Sequence, residues 1–143
     1  ASTRRTTPRP RPTDPAMNLE KVIFGFFIIL ACTLNFGFFI GDIADPKLHN
    51  GFELFATIVV NLIATLLKFG DRSHIGAVHL ATSLAADLQL IAAATFWGWA
   101  VHVAQHPLAG ETMATIVSLS GGALVANFIS VSLLIGETLR RAR

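Results

Sequence analysis

The sequence predicts an all-α, polytopic membrane protein, a bundle of four transmembrane helices with both termini cytoplasmic. Three observations predict it. Of 143 residues, 52% are hydrophobic and only 14% charged, against roughly 25% charged in a soluble domain, and mean hydropathy is +0.59. Four apolar stretches are long enough to cross a bilayer. Threading the chain through four crossings also places ten of its eleven Lys and Arg on one side, the asymmetry that marks the cytoplasmic face.

The first sixteen residues, ASTRRTTPRPRPTDPA, carry four Pro and four Arg and no large apolar side chain. They have nothing with which to build a core and are expected to stay extended. Met17 reads as a natural start, and the membrane domain is taken as residues 17–143.

The first crossing is Val22 to Gly41, twenty residues without an ionisable group, which as a helix spans about 30 Å, the thickness of the hydrocarbon layer. Asn18 is the expected cap, with Glu20 in the first turn. Ile29, Leu30, Ala31 and Cys32 approximate a lipidation box. A cleavable signal has a short apolar core, however, and this one continues to Ile40. The turn-rich GDIADPKLHNG follows as a loop.

The second apolar stretch, Leu54 to Leu67, is short and raises the alternative of a re-entrant segment. If Glu53 and Lys68 snorkel into opposite headgroup layers, residues 51–70 span instead. Charge decides between them. With this crossing, Arg4, Arg5, Arg9, Arg11, Lys21, Lys68, Arg72, Arg140, Arg141 and Arg143 share one side and only Lys47 lies opposite. Without it, the C-terminal arginines fall outside.

The third crossing, residues 75–101, is longer than the hydrocarbon core and must tilt or protrude, with Asp71 or Ser73 as its cap and Trp97 and Trp99 suited to the headgroup boundary. The fourth is residues 112–136, ending before ETLRRAR.

Lipid offers no hydrophobic drive for helix association, so packing relies on small residues. Ala114, Ser118, Gly122, Ala126 and Ser130 recur at four-residue spacing, Gly37 and Gly41 make a shorter pair, and Ala77, Ala81 and Ala85 repeat the pattern. Such ridges serve either packing within the bundle or a homo-oligomer interface.

Each helix also carries one strongly polar residue near mid-membrane, Asn35, Asn61, Asp87 and Asn127, and all four are expected to converge inside one bundle. A carboxylate at the helix centre costs about 2.5–3.5 kcal/mol on insertion scales, so Asp87 is expected to face inward. Ser83 and His79 precede it by one and two turns, making a polar stripe, whereas Gln89 points elsewhere. A carboxyl in such surroundings favours its neutral form, the property a proton or monovalent-cation site needs. The competing reading is interhelical hydrogen bonding, worth about 0.6 kcal/mol on average. Gly121 and Gly122 in SLSGG raise a third possibility, an unwound helix offering carbonyls to an ion.

His102 and His106, with His49 on the same side, have metal-ligand spacing, but Pro107 disfavours helix at the residue before it. A haem clamp would need histidines on different helices at matching depth, and His79 and His102 share one. No metal or cofactor is therefore expected. Cys32 is the one cysteine. Nucleotide-loop, zinc-protease and nucleophile motifs are lacking, so no enzyme is expected. Four Arg without interleaved aromatics also argue against nucleic acid.

MNLEKVIFGFFIILACTLNFGFFIGDI, NLIATLLKFGDRSHIGAV, ATSLAADLQLIAA and IVSLSGGALVAN together resemble a family of small bacterial inner-membrane proteins of uncharacterised function. The resemblance covers Met17 to about Glu137 and implies a four-helix protein of the bacterial inner membrane; it brings no activity, cofactor or site residue. The expected function is conduction, transport or sensing of a proton or monovalent cation at Asp87, with Asn61, Asn127 and Ser83 around it and His79 beyond, in a homo-oligomer. The alternative is an accessory subunit docked against a larger membrane complex.

Overall fold

The computed structural model describes residues 15–40, 47, 49–105, 107–108 and 110–142, with side chains from Leu19 onward. These form four helices and, among the described residues, no strand: α1 (Pro15–Phe39), α2 (Gly51–Lys68), α3 (His74–His102) and α4 (Gly110–Arg141). All four are long and apolar enough to cross a membrane. Each packs on its neighbours in the chain, and α4 closes against α1. The bundle is a ring in which adjacent helices run antiparallel. One end holds the start of α1, the α2–α3 turn and the end of α4, and is called the basic end below. The other is the far end.

Several boundaries move from the sequence expectation. The first helix begins at Pro15, so Asn18 lies within it and Glu20 falls beyond the first turn. Residues 1–14 and Gly41 lie outside the described residues. α2 starts at an Asn50 cap whose side chain accepts the Phe52 N–H at 2.9 Å. Its eighteen residues span about 27 Å, close to the hydrocarbon thickness, which favours a full crossing over a re-entrant loop. Ser73 caps α3 by accepting the Gly76 N–H at 3.0 Å. α4 runs unbroken for 32 residues, so Gly121 and Gly122 are helical rather than unwound. They leave room instead for the Phe39 ring and the Gln89 side chain, respectively.

The small-residue ridge of α4 is only half an inner face. Gly122, Ala126 and Ser130 pack inward, but Ser118 is exposed and Ala114 partly so. A four-residue repeat advances about 40° per step around a 3.6-residue helix, so three steps from Ser130 turn the stripe out of the core. The face that is buried reads Met113, Ile116, Val117, Ser120, Ala123, Asn127 and Ser130. Ala77, Ala81 and Ala85 are likewise exposed, lining a shallow groove between α3 and α4 with Ala126 and Ile129.

Bulky side chains such as Phe26, Phe36, Phe52, Phe55, Leu66, Leu88 and Phe128 point outward, as they must where the solvent is hydrocarbon. Near the far end the core is apolar: Phe38, Leu54, Leu90, Ala93, Met113, Ile116 and Val117 form one cluster. Trp97 packs into this end against Phe38 and Gly51, while Trp99 is half exposed beside Phe96. Toward the basic end only a small cluster of Phe24, Ile28 and Ala64 is apolar, and the space between it and the far cluster is polar.

Candidate functional site

The polar interior is built from α2, α3 and α4. On α3, His79, Ser83 and Asp87 sit one turn apart and all three are buried, which confirms that the stripe faces inward. Asn61 and Thr65, one turn apart on α2, meet it from across the bundle. The Asn61 Nδ2 donates to Asp87 Oδ1 at 2.6 Å and also lies 3.3 Å from the Ser83 carbonyl. Thr65 Oγ1 stands 2.6 Å from Asp87 Oδ2 and 3.0 Å from the Asn61 carbonyl.

The Thr65 hydroxyl has a single proton and two places to send it. When Asp87 is ionised, Thr65 donates to the carboxylate. When Asp87 is protonated, the carboxyl O–H donates to Thr65 Oγ1, whose own hydrogen turns to the Asn61 carbonyl. Both protonation states are satisfied without moving a heavy atom. Thr65 was missed in the sequence, although its i+4 spacing from Asn61 puts the two on one helix face.

Closer to the basic end, His79 Nδ1 is 2.7 Å from Ser130 Oγ, and Thr82 Oγ1 lies 3.3 Å from the same hydroxyl. Ser130, expected as a packing residue, is thus also a polar partner. The Phe24 and His79 rings meet edge-on, 5.0 Å between centroids, and the Lys68 ammonium lies 4.3 Å from the centre of the same phenyl ring. Lys68 is buried and ion-paired with Asp71 at 3.5 Å, because the short α2–α3 turn brings that carboxylate over the end of the bundle. The Ser73 hydroxyl and backbone N–H, with the Lys68 ammonium as a lesser influence, hold the Asp71 carboxyl below the usual carboxylate range. Glu137 completes this end, paired with Lys21 at 3.4 Å and Arg141 at 2.8 Å.

The four mid-membrane polar residues do not all converge. Asn61 and Asp87 meet. Asn35 instead pairs with Ser120 nearer the far end, its Nδ2 donating to the Ser120 carbonyl at 3.1 Å while the Ser120 hydroxyl donates back to Oδ1. The reason is helical depth, since Gly122 opposes Gln89 and so Ser120 lies about one turn beyond Asp87 toward the far end. Asn127 is fully buried, yet neither atom of its amide has a hydrogen-bond partner among the described residues. Its depth follows from register: Ser130 opposes His79 and Thr82, Gly122 opposes Gln89, so Asn127 comes level with Ser83.

Five buried polar atoms here lack a partner among the described residues: Asn61 Oδ1, Ser83 Oγ, His79 Nε2, and Asn127 Oδ1 and Nδ2. An unsatisfied buried group costs about 1–3 kcal/mol. Five together would rival the net stability of a whole domain, about 5–15 kcal/mol. A site of this composition is therefore suited to holding small polar species.

The histidines near the far end separate. His49 is buried with Nδ1 against the Phe38 carbonyl, His102 is exposed at the end of α3, and His106 lies outside the described residues. Among the described residues no cluster of three or more His, Cys, Asp or Glu has metal-binding geometry. Gly37 allows α1 to approach the Glu53 side chain of α2.

Neither the curated proteins nor the solved structures contain a match. The model of a family of unknown function, DUF6394, matches residues 48–138, from just before α2 almost to the end of α4 and well over half of the chain. This four-helix membrane chain therefore belongs to the DUF6394 family of unknown function.

Proposed function

We propose that this protein conducts, transports or senses a proton or monovalent cation at Asp87, as a non-enzymatic, multi-pass protein of a bacterial inner membrane with both termini cytoplasmic. The observation that carries this reading is the pairing of Asp87 with Thr65 and Asn61, which satisfies the carboxyl in either charge state. A carboxyl kept only as interhelical glue has no need of a partner that works both ways. The arginines and lysines gathered at the basic end support the orientation.

Reconstitution into liposomes tests it. Proton, sodium and potassium flux are measured for the wild type, Asp87→Asn and Asp87→Ala, with helix content checked for each. Flux lost in both variants supports the site, and flux unchanged in both removes it.

A second reading is favoured by two grooves on the lipid-facing surface. One, of about 560 Å³, is lined by Cys32, Phe36, Leu124, Val125 and Phe128 between α1 and α4. The other holds the exposed alanines of α3. Both suit docking of further helices, either from a second copy or from a larger complex to which this chain is an accessory subunit. That reading predicts no flux from the isolated protein and co-purification with a partner.

A further inference from the structure

We infer that Asn61, Ser83, Asn127 and His79 enclose a file of ordered water that connects Asp87 to the basic end alone, so that the bound species is a proton and not a metal cation. This rests on the reading of Asp87 as an ion site and narrows it.

The chemistry of the unpartnered atoms selects water. Asn61 Oδ1 and Asn127 Oδ1 only accept, Asn127 Nδ2 only donates, and Ser83 Oγ can do both. A bare cation satisfies acceptors and leaves the Asn127 amide N–H groups unpaired. Water serves both kinds, and a buried water needs about two to four such partners. Both Asp87 oxygens already face donors at 2.6 Å, so the carboxylate does not require a metal to balance it.

Position then gives the path. Ser83 and Asn127 lie level with each other one turn from Asp87, and His79 lies one turn nearer the basic end, under Phe24 and Lys68. On the other side of Asp87 the next inward residue of α3 is Leu90, fully buried in the apolar cluster with Phe38, Leu54, Met113, Ile116 and Val117. The titratable groups facing this path are His79 on α3, Lys68 on α2 with Asp71 beside it, and Glu137 on α4 with Lys21 of α1. On release the carboxyl O–H turns from Thr65 to the adjacent water, one O–H bond breaking at the carboxyl as another forms on the water oxygen, and the Thr65 hydroxyl then donates to the carboxylate left behind. The excess proton is handed along the file and leaves to a base at the basic end.

Infrared difference spectroscopy on the wild type in oriented liposomes tests this, following the carboxyl band that Asp87→Asn removes. The expected result is a band that responds to pH steps applied at the basic end, and to neither far-end pH steps nor sodium or potassium at constant pH. Asn127→Leu is expected to lose the response and keep the band. A band that shifts with sodium or potassium overturns the proton assignment while leaving Asp87 as an ion site. Response to far-end pH overturns the one-sided path. Absence of any Asp87 band change with pH or cation removes the parent reading as well.

Discussion

The two halves of the bundle handle buried polarity in opposite ways. In the far half, Asn35 and Ser120 satisfy one another by two reciprocal hydrogen bonds, Thr57 donates to the Glu53 carbonyl at 2.7 Å, and apolar side chains fill the rest. In the basic half, Asn61, Ser83, His79 and Asn127 all keep atoms with no partner among the described residues, beside a carboxyl and a buried lysine. Both halves are equally deep inside protein and are made by the same four helices. The contrast shows that polarity in a membrane core is not one phenomenon. A saturated pair holds helices together, whereas the unsaturated cluster keeps polar atoms that no described residue pairs.

The most damaging change should be one that carries polarity into the closed half. Leu90→Asn places an amide among apolar side chains one turn from Asp87; lost packing and an unpaired group together are expected to destabilise by about 3 kcal/mol. Proton leak through liposomes should also rise. Unchanged thermal stability and a tight membrane would mean that the far half is not the barrier.

The sharpest comparison applies one substitution to both halves. Asn35→Leu strands Ser120 and is expected to cost about 1–2 kcal/mol. Asn127→Leu removes two atoms that have no protein partner and is expected to change stability by less than about 1 kcal/mol in either direction. Denaturation of each variant in detergent micelles measures this, and equal losses would erase the distinction between the halves.

Acid should also act on the ion pair at the basic end. The Asp71 carboxyl is held below its ordinary range by Ser73 and, less, by Lys68. Its folded value is thus lower than its unfolded one of about 3.9. The contribution to stability is complete above the unfolded value and disappears as pH falls through the folded one. Melting curves between neutral pH and about pH 3 should show a decline that is smaller in Asp71→Asn. The same decline in that variant would exclude Asp71 as the source.

The smallest effect is expected at Gly122→Ala. The added methyl meets the end of the Gln89 side chain, which can swing aside, so a loss under about 1 kcal/mol is predicted. A larger loss would show that α3 and α4 are held closer at this point than a flexible side chain allows.

The four helices and the inward stripe of His79, Ser83 and Asp87 were legible because hydropathy and i+4 spacing are local properties. The surroundings of Lys68 were not legible for the same reason. Asp71 is three residues on, but nothing near Lys68 in sequence indicates that Phe24 of α1 will lie under its ammonium. The four-residue ridge of α4 is only partly internal, as its rotation around the helix carries Ser118 out of the face that Ser130 occupies.

Composition and periodicity alone determined the solvent of this protein, the number of its crossings and the face on which its carboxyl lies, since each depends on residues within a few turns of one another. Only the tertiary structure decided which polar groups meet. That choice depends on the relative depth of neighbouring helices: an offset of one or two turns, invisible within any single helix, gives Asn35 to Ser120, Asn61 to Asp87, and leaves Asn127 with no protein partner among the described residues.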